Sequence, residues 1–178
     1  ALIDELHSAL DPKAYRKAVA LLAESEFIDI FGVENSLTPA MDLFTKLGYL
    51  GLTCRLNTDA YLQQIGAGHL PHGAVAVAFS HSGSSADTVK ALRLAKSHGA
   101  KTIAITNAIG APLASWADVT LLTGRDSHTI YGNAIFSRVA DTALVDMLYM
   151  GVILSGYGRF STALDESGRM IRDRVFEN

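Results

Sequence analysis

The stretch AVAVAFSHSGSSADTVKALRLAKSHGAKTIAIT, Ala74 to Thr106, holds a strand, a loop, a helix and a second strand in one reading. Ala74 to Phe79 is an unbroken apolar run of strand length, as expected for a strand buried on both faces. Ser84 to His98 reads as a helix, and Gly99 closes it with the left-handed turn that only glycine makes without cost. Thr102 to Thr106 is again a strand. A helix of that length between two strands implies a right-handed crossover and parallel pairing.

Working outward, the same alternation continues. Upstream, Leu52 to Leu56 is a weaker strand, and Asp59 caps a helix running to about Ala67. Phe27 to Phe31 is a strand interrupted only by Asp29 and closed by Gly32. The helix that follows, Leu37 to Leu50, carries Pro39 in its first turn, where a missing N–H is harmless. Asp11-Pro12 reads as an N-cap with proline in the first helical position, and Tyr15, Ala18, Val19 and Leu22 recur at helical spacing up to about Ser25. Downstream come a short helix at Ala111 to Trp116, a strand at Val119 to Leu122, a long helix from Tyr131 to about Leu154, and a charged helical tail. The pattern predicts a doubly wound, flavodoxin-like three-layer α/β/α sandwich on a parallel sheet of about five strands. Ligands in such sheets sit beyond the carboxyl ends of the strands, so Gly32–Thr38 and Ser80–Ser85 are the loops of interest.

Composition narrows the chemistry. With 178 residues, 49% of them apolar, the chain can bury one sizeable core as one compact domain. A formal charge of −3 leaves no cationic excess for a phosphate backbone, so this stretch is a poor reader of DNA or RNA. The single cysteine, Cys54, cannot form an internal disulfide, and no metal-type Cys/His spacing occurs, so neither a metal nor a cofactor is expected. Met147 to Gly158, bracketed by Asp146 and Arg159, is too short to span a bilayer, and Ala1–Leu10 lacks the basic start and apolar centre of a signal peptide. The expected address is cytoplasmic, without a membrane partner.

Ser80, Ser82, Ser84 and Ser85 surround Gly83, beside His81. A hydrolase elbow needs glycines two before and two after its serine, and Ser80–Ser84 holds only one glycine. An anion cradle uses more of the residues. The first amides of a helix lack internal acceptors, the helix dipole favours negative charge there, and serine hydroxyls add rotatable donors. Three or four charge-assisted hydrogen bonds, each worth about 1.5–3 kcal/mol, supply much of the ~8 kcal/mol that micromolar affinity requires. A serine-rich capping turn accounts for one of these serines, not four.

The run Ser80–Thr88, with Ala95-Lys96, Gly99-Ala100-Lys101 and Ile103–Asn107, resembles the SIS (sugar isomerase) domain, a phosphosugar-binding fold. Pro112-Leu113-Ala114 with Ala117-Asp118 matches its next segment, and Ser137-Arg138 with Asp146-Met147-Leu148 looks like the RpiR family of bacterial transcriptional regulators. That resemblance implies a phosphosugar-sensing effector domain at residues 26–156, a connecting N-terminal helix at 1–25, a C-terminal helical tail at 157–178, and a helix-turn-helix domain upstream. It implies that Ser80, Ser82 and Ser85 hold the phosphate with the loop amides, flanked by His81, Gly83 and Ser84, while Ser36, Asn35 and Glu34 face the sugar. The first loop departs from the family form Gly-x-Gly-x-Ser: it reads Gly32-Val33-Glu34-Asn35-Ser36. Glu34 either repels a phosphate, accepts hydrogen bonds from the sugar or faces solvent. Tyr61 stands where the family often has histidine.

Isomerases of this fold commonly place a glutamate before the long helix, whereas here the segment is Gly124-Arg125-Asp126-Ser127-His128. Asp126 and His128 are additional candidate ligand contacts, no catalytic residue is assigned, and a sensor is favoured over a phosphohexuloisomerase-type enzyme. The long helix carries Phe136, Val139, Ala143, Met147 and Met150 along one side, widened by Leu144, Leu148 and Ile153, which predicts a homodimer or a tetramer through this helix.

Overall fold

The computed structural model describes residues 2–125 and 137–174. The chain runs α1 (Leu2–Ala9), α2 (Pro12–Glu24), β1 (Ile28–Phe31), a 3-10 turn (Glu34–Ser36), α3 (Leu37–Tyr49), β2 (Cys54–Leu56), α4 (Ala60–Ala67), β3 (Val75–Phe79), α5 (Ala86–Ser97), β4 (Lys101–Thr106), a 3-10 turn (Pro112–Trp116), β5 (Val119–Leu122), α6 (Val139–Ser155) and α7 (Tyr157–Met170), ending in a 3-10 turn (Arg172–Arg174). The five strands are all parallel in the order β2-β1-β3-β4-β5. This is the doubly wound arrangement expected, and its order reverses between β1 and β3.

The sheet's two faces are packed differently. Ile28, Ile30, Val75, Val77, Phe79, Ile103, Ile105, Val119 and Leu121 form one face, under α2, α3 and α6, with Phe160 of α7 completing that core. The opposite face is built from Phe31 and a patch of alanines, Ala76, Ala78 and Ala104, which meet Ala91, Leu92 and Ala95 of α5. Small residues there let α5 lie close to the sheet, as dense packing requires, and α4 packs beside α5.

Two expectations are revised. The connecting segment expected as one helix holds two, α1 and α2: the Asp11 cap is where the sequence put it, accepting from the N–H groups of Lys13 (3.1 Å) and Ala14 (3.3 Å) at the start of α2, and a separate helix precedes it. The long helix begins at Val139 among the described residues, and the portion expected from Tyr131 to Phe136 lies outside them.

Asp29 is a carboxylate in a central strand. It stays there because Arg55 on the neighbouring edge strand grips both its oxygens, Nε at 3.0 Å and an Nη at 2.6 Å, with the guanidinium lying over the Phe27 ring. Burial still raises the Asp29 pKa, outweighing Arg55.

Candidate functional site

Since β1 and β3 are paired neighbours, the loops leaving their carboxyl ends stand side by side. Between them opens a cavity of about 510 Å³ lined by Val33, Glu34, Asn35 and Ser36 from the first loop and by Phe79, Ser80, His81, Ser82, Ser84 and Ser85 from the second. Asp87 of α5 and Arg138 at the start of α6 complete it. Every singled-out residue of the first loop is therefore brought to the same cavity as the serines.

Two helices begin at this cavity. Ser36 occupies the N-cap position of α3 and Ser85 that of α5, yet neither side chain makes a capping bond. The Ser85 hydroxyl instead accepts from Thr88 Oγ1 at 3.3 Å. The regular ladder of α5 opens with the Val89 N–H to the Ser85 carbonyl at 2.9 Å, so the amides of its first turn have no acceptor within the helix. A plain capping role does not describe this turn. The oriented amides and dipole of α5, with serine hydroxyls beside them, favour a compact anion at this spot.

The second loop is fixed from behind. Ser80 donates its N–H to the Ile105 carbonyl (3.0 Å), and the His81 carbonyl accepts from the N–H of Asn107 (3.0 Å) and from Thr106 Oγ1 (3.1 Å). Ser82 Oγ accepts from the Ser84 N–H at 3.2 Å, and Ser84 Oγ donates to the Ser82 carbonyl at 3.3 Å. Gly83 does not line the cavity. It is buried behind the loop at φ +61°, with its N–H given to the Ser80 carbonyl and its carbonyl accepting from Leu113 N–H. The close approach that demands glycine is to Ala111 and Thr106, which a Cβ would meet at 2.3 and 2.8 Å.

Glu34, exposed at the rim, is the non-glycine residue with positive φ, +52°, among the described residues. Glu34 thus carries a side chain on a left-handed backbone, a strain of about 1–2 kcal/mol. Glu34 and Asp87 make part of the lining acidic, and Arg138 brings a guanidinium to the same cavity. Asp87 Oδ1 accepts from Gln64 at 2.9 Å.

Near the start of α6, Asp141 is buried, and burial raises its pKa despite the Thr123 hydrogen bond and the charge of Arg138. Tyr61 is 70% exposed on α4 and does not line the cavity, so it neither stacks there nor packs inside. Asp126 and His128 lie outside the described residues. Among the described residues no cluster of three His, Cys, Asp or Glu side chains could hold a metal, and no single helix is long and apolar enough to cross a membrane. Cys54 is half-buried, and burial pushes its thiol up to about 12.

Reading the sequence did not single out Gln63, which anchors the first loop, or place Arg138 and Asp87 at the cavity. Arg138 had a signal, its place in the Ser137-Arg138 match. Gln63 had none, since the Gly32 backbone that it anchors lies on a different element, remote in sequence.

A helix-turn-helix-type transcriptional regulator of Caldanaerobacter subterraneus subsp. tengcongensis, itself uncharacterized, is 30% identical over 176 residues; the match covers 99% of this chain and 62% of that protein. The chain therefore spans under two thirds of that relative's length. Among solved structures, Vibrio vulnificus NanR complexed with ManNAc-6P superposes with a TM-score of 0.91 at 24% identity, covering 98% of this chain and 66% of that one. The sugar isomerase domain of an RpiR transcription factor from Sphaerobacter thermophilus superposes with a TM-score of 0.83 at 23% identity, over 94% and 92% of the two chains. At those identities the superpositions establish the fold. The model of the SIS domain matches residues 21–151, a span that takes in all five strands, both loops of the cavity and the start of α6, and on that match the chain belongs to the SIS-domain family.

Proposed function

We propose that this chain is the phosphosugar-binding effector domain of a bacterial transcriptional regulator, in which a sugar phosphate occupies the cavity between the two loops and a second copy of the chain docks on α6. Ser80, Ser82 and Ser85 hold the phosphate with the first amides of α5, Ser84 flanks them, and Arg138 adds the balancing charge. His81 borders the phosphate, while Ser36, Asn35 and Glu34 face the sugar. The observation that carries this reading is the start of α5, where a serine sits at the N-cap position without capping. The names of the relatives support the regulatory part, and the ligand named for NanR indicates the class of effector. DNA binding then belongs to a helix-turn-helix domain on the N-terminal side of this effector domain.

The test is a thermal-shift panel of hexose, hexosamine and N-acetylhexosamine 6-phosphates, each beside its unphosphorylated sugar. A ligand at 100 times its dissociation constant adds about 2.7 kcal/mol of stability. The expected result is a shift from one phosphorylated sugar, absent with its parent sugar, and abolished in the Ser82→Ala/Ser85→Ala double variant without loss of fold. A shift undiminished in that variant overturns the assigned site. Conversion of a sugar phosphate followed by NMR would replace the sensor with the aldose–ketose isomerase alternative, which needs a base at the sugar carbons.

A further inference from the structure

Gln63 is a glutamine with 2% of its surface exposed, in the middle of α4, a helix too short to hide it by accident. Its side-chain amide is fully engaged. Oε1 accepts from the Gly32 N–H at 3.2 Å, while Nε2 donates to the Gly32 carbonyl at 2.7 Å and to the Asn57 carbonyl at 2.7 Å. Gly32 is the first residue beyond β1, so the Gln63 amide acts there as one more rung of sheet pairing, made by a side chain. Gly32 is also pressed against the 3-10 turn, where an added Cβ would meet the Ser36 carbonyl oxygen at 3.0 Å. From this clamped point the chain enters Val33, left-handed Glu34, Asn35 and Ser36, the first wall of the cavity. The adjacent Gln64 reaches the second wall through its hydrogen bond to Asp87 in the first turn of α5.

We infer that Gln63 is a positioning residue that fixes the sugar-facing wall of the cavity through Gly32, without touching ligand, and so sets affinity for the sugar half independently of the phosphate half. The inference rests on the phosphosugar reading above. Burial of an amide whose three hydrogen bonds all go to loop backbone rewards one backbone path and penalises others, because a lost partner leaves buried polar groups unsatisfied.

The test compares wild type, Gln63→Met and Gln63→Glu in the full chain, titrated with inorganic phosphate and with the sugar phosphate that gives the largest thermal shift, and followed by amide hydrogen exchange. Gln63→Met is expected to weaken the sugar phosphate about tenfold, leave inorganic phosphate within about twofold, and speed exchange at Gly32 and Ser36 but not at Ser80. Gln63→Glu keeps an acceptor and loses the donors at neutral pH. A carboxyl facing two carbonyl oxygens regains a donor when protonated, so its deficit relative to wild type at the same pH narrows as pH falls. Equal weakening of both ligands, no weakening of either, or unchanged exchange at Gly32 overturns the inference. Should wild type bind no sugar phosphate, the functional reading fails, and the exchange comparison alone decides whether Gln63 holds the wall.

Discussion

Gly83 illustrates how one residue supports the cavity from behind. Its left-handed backbone turns the serine loop, and the space its missing Cβ leaves is filled by Ala111 and Thr106. Gly83→Ala adds both a backbone strain and an overlap with packed atoms, so urea unfolding should show a loss of about 2–4 kcal/mol. A loss under about 1 kcal/mol would mean the loop turns without glycine. The serines around it were legible in the sequence because strand, hydroxyl-rich loop and helix follow one another locally. The clasp at Gly32 was not legible, since a glutamine on a short helix reads as a surface residue until the fold brings a backbone to it. Glu34 was legible as a departure, but its left-handed conformation was not, because residue type alone points away from it.

At the scale of elements, apolar runs and caps located every strand and most helices within a few residues. The main differences are at helix starts: a separate helix, α1, precedes the Asp11 cap that the sequence shows, and α5 starts two residues later than the serines suggest. The docking of α6 carries a pH signature. Asp141 lies in its first turn with a pKa raised by burial, so the folded chain binds a proton there more readily than the unfolded chain does. Wild-type stability attributable to this group is therefore greatest in acid and declines as pH rises through the folded-state value. Asp141→Asn removes the buried charge but keeps the shape. Denaturant unfolding should find the variant more stable than wild type at about pH 7, with the advantage shrinking toward about pH 4. An advantage that grows in acid would reverse the assignment.

For the molecule as a whole, the parallel sheet followed from the helical crossovers, but the strand order, and with it which loops meet, could be read only once β1 and β3 were seen to be neighbours. Self-association belongs to this scale. Leu144, Val145, Leu148 and Val152 of α6 face the core, whereas Val139, Met147, Met150 and Leu154 remain exposed, Leu154 at 68%. If a second copy covers that face, wild type sediments as a dimer at micromolar concentration and Met150→Asp shifts it to monomer, since an unpaired carboxylate buried between copies is costly. A monomeric wild type would remove the dimer from the proposed mechanism.

The pairing of β1 with β3, across the β2 and α4 segment that separates them in sequence, has a consequence for biosynthesis. No contiguous piece of the chain shorter than that crossover possesses both walls, so a ribosome-bound fragment ending before β3 carries only the first wall of the cavity. The cavity is complete only once the serine loop, the first turn of α5 and Arg138 have followed, so a ligand of the proposed class meets a finished site only in a chain folded through the start of α6.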